Sequence, residues 1–129
     1  MALDSIEKKT NAGGSEEKFR NLAESVGAIL WEYDISSDRW TYVAPQSKDL
    51  LGYDPSEWVN FQFWADKIHP EDKNWATDYC NRCTAQGQDH RFEYRFLTKD
   101  GATVWLRDDV TVELNNKKPF KLRGFMVDI

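Results

Sequence analysis

Two cysteines, Cys80 and Cys83, are the side chains whose type and spacing most directly suggest chemistry in this sequence. A Cys-x-x-Cys pair can be a redox couple, part of a zinc site or, with a following histidine, a haem attachment point. This pair falls late in a predicted helix, whereas thiols are activated at helix N-termini, and Thr84 stands where haem attachment needs histidine. We therefore expect buried or half-buried free thiols, with a redox role left open.

The histidines do not complete a metal site with these cysteines. Structural zinc would need both His69 and His90, and their spacing matches no zinc pattern. His69 directly precedes Pro70, so we expect it to cap the start of a helix rather than bind a metal. We predict no metal ligands.

An acid pair, Asp108-Asp109, interrupts an otherwise apolar strand face. One of the two could point inward and pair with Arg95 or Arg107, but an edge-facing or bulged pair is the favoured interpretation. The sequence shows neither a nucleophile with its base nor a phosphate loop, so we predict no catalytic residues and no enzymatic activity for this domain.

Composition narrows the classes of function. The 129 residues carry a net charge of -5 with dispersed cations, which argues against nucleic acid. No apolar run is long enough to span a bilayer, and the N-terminus lacks a signal-peptide core, so we expect a cytoplasmic protein without membrane insertion. A 40% hydrophobic content with 14% aromatics suits one domain with a substantial core.

The chain begins with a predicted leader or linker over residues 1–14, which is poor in apolar residues and ends in two glycines. Residues from 15 onward form the single predicted domain. Its first element is a short amphipathic helix whose apolar face includes Phe19, Leu22 and Val26, and Gly27 can end it. Such a short helix must pack on something, and a second copy of the chain is a natural partner.

Alternating apolar residues then predict two strands, a helical crossover, a longer helix and three further strands. The expected strands begin near Ala28, at Arg39, near Phe92, near Val104 and at Phe120, the crossover runs from Pro45 to Ile68, and the longer helix starts at Pro70 and ends before Gly87. We expect Ser47 and Asp54 to cap helices in the crossover. Five mostly antiparallel strands with helices on one face make an α+β fold.

Six motifs in order resemble a PAS domain of the bacterial sensor type, the PAS-3 variety, over about residues 15–129. They are Trp31-Glu32-Tyr33-Asp34, Pro45-Gln46-Ser47, Leu50-Leu51-Gly52-Tyr53, His69-Pro70-Glu71-Asp72, Lys99-Asp100-Gly101 and Val127-Asp128-Ile129. The resemblance implies the strand order 2-1-5-4-3. It also implies that Asp128 and Ile129 lead from the core to a C-terminal effector, such as a kinase or cyclase, in a larger bacterial signalling protein.

By this resemblance the chain is a sensory input domain for an unidentified small organic ligand. Flavin photosensors of the family carry an Asn-Cys-Arg-Phe motif in the crossover, which here contains no cysteine. Haem-binding members use a histidine on the long helix, which here has none, so haem, a flavin adduct and zinc are not expected. The candidate cavity-lining residues are Trp31, Tyr42, Trp64, Trp75, Tyr79 and Trp105. For each of these six, ordinary core packing is the alternative.

Two other functions stay open. The domain could be a ligand-free dimerisation or relay module that uses the helix with Phe19, Leu22 and Val26. It could also be a small enzyme with a cavity, since a fold alone does not fix a function.

Overall fold

In the computed structural model, Lys18 and residues 27–129 are described. The predicted leader and the predicted helix with Phe19, Leu22 and Val26 lie outside the described residues. The strands are β1 (Ile29–Asp34), β2 (Arg39–Val43), β3 (His90–Leu97), β4 (Thr103–Asn115) and β5 (Lys118–Asp128). Between β2 and β3 lie α1 (Gln46–Leu51), a 3-10 turn (Pro55–Glu57), α2 (Phe61–Lys67) and α3 (Pro70–Ala85).

The five strands form one antiparallel sheet in the order β2-β1-β5-β4-β3, which confirms the predicted α+β fold and strand order. The last strand is therefore central, between β1 and β4. Because side chains alternate along a strand, Trp31, Tyr94 and Met126 share the face covered by the helices. Residues adjacent in sequence to these inward-facing residues lie on the other face, here called the outer face. Trp105, next to the buried Leu106, is an example.

Short helices in the crossover begin and end at residues suited to those positions. Asp54 caps the 3-10 turn, with Pro55 at its first position, as predicted. The prediction that Ser47 caps a helix is wrong, because Ser47 lies inside α1 and is fully buried. Its hydroxyl donates to the Tyr53 carbonyl at 2.8 Å and accepts from Trp58 Nε1 at 2.8 Å, so this serine joins two segments instead. Gly52 ends α1 with a φ of 86°, a conformation that favours glycine.

The long helix α3 is attached by its first turn to the edge of β3. His69 caps it, with Nδ1 accepting from the Glu71 amide at 3.1 Å, which confirms the predicted capping role. Its own amide donates to the Arg95 carbonyl at 2.9 Å. Asp72 accepts from the Arg95 amide at 2.9 Å and from the Arg95 guanidinium at 2.8 Å, and these hydrogen bonds hold the pKa of Asp72 below its usual value. None of the described helices is long and apolar enough to cross a membrane.

Gly124 on β5 is a point of close approach between this strand and both of its neighbours. It pairs with Trp31 on β1 and with Val110 on β4. A Cβ atom at this position would lie 1.8 Å from the Asp109 carbonyl oxygen and 3.1 Å from Trp31 Cζ2. A glycine within a strand is typical of a bulge or of the close approach of another group. At Gly124 it is a close approach, and the missing side chain leaves room for the Trp31 indole above β5.

We predict that Gly124→Ala lowers the free energy of unfolding by about 3 kcal/mol or more, because the backbone oxygen of Asp109 cannot move aside without breaking the sheet. Urea denaturation of the purified chain measures the change. Gly101→Ala is the matched control, since Gly101 has a φ of 92° and no atom within 4 Å of an added Cβ, and it should cost only about 1–2 kcal/mol. Equal losses in the two variants would contradict this account.

Candidate functional site

Four side chains form a buried chain of hydrogen bonds across the sheet, here called the polar chain: Trp64, Tyr94, Asp108 and Trp31. Trp64 Nε1 donates to the Tyr94 hydroxyl at 2.9 Å, and that hydroxyl donates to Asp108 Oδ2 at 2.7 Å. Trp31 Nε1 donates to Asp108 Oδ1 at 3.2 Å. The polar chain thus runs from α2 through β3 and β4 to β1 and passes over the central strand β5.

The three aromatic members of the polar chain pack against other rings. Tyr94 is fully buried and lies between Phe92 and Phe96 along β3. Its ring meets the Trp64 ring edge-on at a centroid distance of 5.6 Å. A buried phenol or indole requires a hydrogen-bond partner, so the rings that fill this core also place the polar chain's donors.

Asp108 is a buried carboxyl group whose side chain forms no ion pair within the described part of the chain. The pKa of Asp108 is raised to about 7, chiefly by burial and to a smaller extent by the negative charge of Asp109. The hydrogen bonds from Tyr94 and Trp31 act in the opposite direction, since they favour the ionised form. Burial and the same carboxylate raise the pKa of Tyr94 well above its usual value, so its hydroxyl keeps its hydrogen.

The favoured interpretation of the acid pair as edge-facing or bulged is wrong. β4 is an interior strand, and its pairing with β5 passes through Asp108 and Asp109 with no shift in register there. Asp108 points inward, as the alternative allowed, but its partners are a tyrosine and a tryptophan and not an arginine. Asp109 lies on the outer face, near Arg107 at 3.6 Å and in contact with Arg91.

The cysteines are free and buried, as predicted. Burial raises the pKa of Cys80 to about 12, and the nearby Asp108 charge acts in the same direction, so this thiol stays protonated near neutral pH. Among the described residues, no three His, Cys, Asp or Glu side chains come together as a group able to hold a metal ion.

The structure brings some of the six predicted lining residues together and separates others. Trp31 and Trp64 belong to the polar chain, and Tyr79 and Trp75 reach it through Phe92, at ring distances of 5.4 Å and 6.4 Å. Trp75 is nevertheless 44% exposed at the helix surface.

Tyr42 and Trp105 belong to the other face of the sheet. Tyr42 pairs with Glu32, which alternation places on the outer face, and Trp105 is 48% exposed on the same face beneath the Arg95 guanidinium. The predicted relay residues lie near Trp105, because the Ile129 amide donates to the Trp105 carbonyl at 3.0 Å and Asp128 pairs with Leu106.

A groove of about 560 Å³ lies elsewhere, between the end of α1 and the β3–β4 turn. Its volume falls in the range of small-molecule sites. None of the six predicted residues lines it. The lining residues are Lys48, Asp49, Leu50, Leu51, Gly52, Thr98, Lys99, Asp100, Ala102 and Val104.

A family model described as the PAS fold matches residues 41–126, two thirds of the chain. The chain belongs to the PAS family. The matched span includes Asp108 and Tyr94 and excludes β1, which holds Trp31.

Solved structures resemble this PAS domain over most of its length. The N-terminal domain of a diguanylate cyclase with PAS/PAC sensor from Marinobacter aquaeolei has a TM-score of 0.76 and 36% identity, covering 78% of this chain and 94% of that one. A sensory box histidine kinase/response regulator from Burkholderia thailandensis has a TM-score of 0.72 and 21% identity, covering 87% of this chain and 84% of that one, which supports the shared fold.

A curated relative, hypoxia-inducible factor 1-alpha of Oncorhynchus mykiss, is 32% identical over 79 residues, which is 61% of this chain and 10% of that protein. A second, the protein named similar of Drosophila melanogaster, is 30% identical over 81 residues and is 5% covered. This PAS domain therefore spans a tenth or less of the curated relatives it matches.

Sequence reasoning missed Tyr94 and Asp108 as site residues, although a signal was present for each. Asp108 is in phase with Leu106 and Val110, both buried, so alternation itself places it inward. Tyr94 is in phase with Phe92 and Phe96, and a hydroxyl inside a row of phenyl rings needs a buried partner.

We predict that Asp108→Asn removes a pH dependence of stability. The folded protein keeps a proton on Asp108 that the unfolded chain releases above about pH 4, because the folded pKa is about 7. The contribution of Asp108 to the free energy of unfolding therefore falls as pH rises between these values, by at most about 1.4 kcal/mol per pH unit, and levels off above the folded pKa.

The asparagine variant should lose this contribution, so its stability relative to wild type should increase as pH rises. Urea denaturation at several pH values measures the slope. Asp109→Asn, which changes the neighbouring outward carboxylate, should retain the fall in stability, ending at a slightly lower pH because the Asp109 charge no longer raises the pKa of Asp108. Parallel slopes for wild type and Asp108→Asn would show that burial does not shift this carboxyl.

Proposed function

We propose that this PAS domain is the sensory input domain of a larger bacterial signalling protein and passes its signal to a C-terminal effector, a kinase or cyclase. The observation that supports it is the polar chain, which connects the helical layer to the middle of the sheet. The 36% identity between this PAS domain and the N-terminal domain of the diguanylate cyclase with PAS/PAC sensor from Marinobacter aquaeolei supports the same role. The free cysteines fit a reducing compartment such as the cytoplasm.

The route of the signal follows from strand order. β5 lies between β1 and β4, the two strands joined by the Trp31–Asp108 hydrogen bond above it. A change in the polar chain alters contacts on both sides of β5 and thereby biases the conformation of the segment that contains Asp128 and Ile129. Since Asp128 ends the last strand and Ile129 follows it, a following domain would receive that bias.

We propose that a small organic ligand acts at Trp31 and Trp64, the two predicted lining residues that belong to the polar chain. Both rings are at least 96% buried and packed, so a ligand must displace aromatic side chains as it enters. Uptake would therefore be coupled to movement of the rings that hold Tyr94 and Asp108. This coupling is what a sensor needs, because only a ligand with different affinities for two conformations shifts their populations.

The domain's own part in this scheme is regulatory. The cysteine thiol nearest the polar chain, Cys80, stays protonated because burial raises its pKa to about 12, so it is a poor nucleophile. We infer that any catalytic activity of the full protein belongs to another domain.

A second candidate function is a ligand-free dimerisation or relay module, and one observation favours it. The outer face carries apolar side chains on neighbouring strands, with Trp105 48% exposed and Ile129 51% exposed beside half-buried Val127. In this alternative the segment with Phe19, Leu22 and Val26 covers part of this face and contacts a second copy of the chain.

For the sensory function we predict that a metabolite library contains a compound that raises the unfolding temperature of the purified chain. At about 100 times its Kd such a compound adds about 2.7 kcal/mol to stability. It should also change hydrogen-exchange protection of β5. Trp64→Phe should abolish the shift, whereas Trp105→Phe, an equivalent change on the outer face, should retain it.

Leu50→Ser tests the groove between α1 and the β3–β4 turn. If this variant and not Trp64→Phe abolishes the shift, the ligand binds in the groove and the assignment to the polar chain is wrong. If no compound shifts the wild type, ligand sensing itself is contradicted.

For dimerisation we predict that replacing Phe19 and Leu22 with serine converts a dimer to a monomer in light scattering at matched concentration, because the interface loses its apolar anchors. Val59→Ser, which changes an apolar side chain that is 54% exposed near α2, is the control and should leave the mass unchanged. An unchanged mass in the double variant would remove this segment from the interface.

A further inference from the structure

The Tyr94 hydroxyl is a group for which two acceptors compete. Its oxygen accepts from Trp64 Nε1 at 2.9 Å, lies 2.7 Å from Asp108 Oδ2 and lies 3.6 Å from Met126 Sδ. A hydroxyl has a single hydrogen to donate. The protonation state of Asp108 therefore decides whether that hydrogen is directed to β4 or to β5.

When Asp108 is ionised, its carboxylate takes the hydrogen. A charged oxygen is a much better acceptor than a thioether sulfur, which accepts only weakly. The Tyr94 hydroxyl then donates to Asp108 on β4, and Met126 makes only a van der Waals contact with that hydroxyl.

When Asp108 is protonated, it carries a hydrogen of its own and can donate it to the Tyr94 oxygen. That oxygen has two lone pairs, so it can accept from both Asp108 and Trp64. The tyrosine hydrogen is then free to turn toward Met126 Sδ on β5. Trp31 Nε1 donates to Asp108 Oδ1 in either state. Both states satisfy the buried donors. The Asp108–Tyr94 hydrogen bond is present in both with its direction reversed, and only the protonated state adds a hydrogen bond from Tyr94 to Met126 on β5.

Neutral groups face Asp108, so its own protonation state decides where the Tyr94 hydrogen points. Along the sheet it pairs with Phe92 on β3 and Met126 on β5, and Trp31 approaches from β1. The titratable groups that face it are the Tyr94 phenol and, from α3, the Cys80 thiol.

Both of those groups have raised pKa values and stay neutral where Asp108 titrates, since the pKa of Asp108 is about 7. Asp109, next in the chain, faces the opposite side of the sheet with Arg91 and Arg107. Within residues 27–129, no cation forms an ion pair with Asp108.

We propose that proton binding at Asp108 is a signal to which this domain responds, and that it acts by turning the hydrogen of the Tyr94 hydroxyl from Asp108 on β4 to Met126 on β5. The proposal rests on the proposed function, in which β5 carries the signal onward. The proton comes from solvent and forms an O–H bond with the carboxylate, and no group is oxidised or reduced. The signal so defined is acidification near neutral pH.

The chain is well suited to a direct test because it contains two methionines, Met1 and Met126. With ¹³C-labelled methionine methyl groups, the full chain gives at most two methyl signals in a ¹H–¹³C spectrum. Across about pH 5.5 to 8.5, the Met126 methyl should follow a single-site titration, with the ratio of protonated to ionised protein changing about tenfold per pH unit. The Asp108 carboxyl carbon should titrate with the same midpoint.

Three variants separate the steps. Asp108→Asn should fix the Met126 methyl at the wild-type low-pH position, because its amide donates to Tyr94 as the protonated acid does. Tyr94→Phe should leave the Asp108 carboxyl titrating while the methyl no longer follows it, which excludes a direct effect of the charge on the methyl. Asp109→Asn should retain both titrations.

An Asp108 carboxyl carbon with no titration in this range would overturn the proposal, as would a Met126 methyl that still titrates in Asp108→Asn or in Tyr94→Phe. The measurement needs neither a ligand nor an effector, so it is independent of the ligand screen. If both titrations occur as expected but protection of β5 against hydrogen exchange does not change with pH, the proton switch stands and the proposed relay through β5 fails.

Discussion

A carboxyl group buried in the middle of the sheet, with no cation paired to it in the described part of the chain, constrains the whole interior of this PAS domain. Removing a carboxylate from water is costly unless donors replace the lost hydration. Asp108 obtains two such donors, from a tyrosine on β3 and an indole on β1. Each must be held by a packed aromatic layer, and the indole must pass over the central strand. Much of the aromatic core therefore serves to position the hydrogen-bond donors of the two Asp108 carboxyl oxygens.

Gly124 makes that passage possible. The Trp31 ring occupies space above β5 that any side chain at position 124 would need. A strand glycine usually weakens a sheet, because it contributes no packing and loses more backbone entropy on folding. Here the loss is local, and it allows a hydrogen bond between two strands that are not neighbours. β1 and β4 are thereby connected twice, by backbone pairing through β5 and by the Trp31–Asp108 hydrogen bond above it.

Much of this architecture can be predicted from sequence, because the signals are local. Alternation along β1 and β3 and the cap at His69 depend only on nearby residues, and the structure confirms them. The failures concern polar residues whose role depends on distant partners. Ser47 has the right type for a helix cap, but Tyr53 and Trp58 bind its hydroxyl.

Asp108 shows the same limitation at the candidate site. An aspartate within a row of apolar residues is interpreted as a break in the strand pattern unless the tyrosine and the indole that bind it are known. Those partners are 14 and 77 residues away along the chain. The direction of the side chain could be predicted from strand alternation, whereas its neutral surroundings could not.

The attachment of α3 to β3 has a further consequence for how the molecule behaves in a crowded solution. β3 is a terminal strand of the sheet, and terminal strands offer unpaired backbone groups to which another polypeptide can add. At its middle those groups are already used, since the Arg95 amide and carbonyl bind Asp72 and His69, and Ile68 bridges Phe96. The first turn of α3 thus blocks the addition of strands from other copies at the β3 edge, and with it the growth of fibres along this side of the sheet.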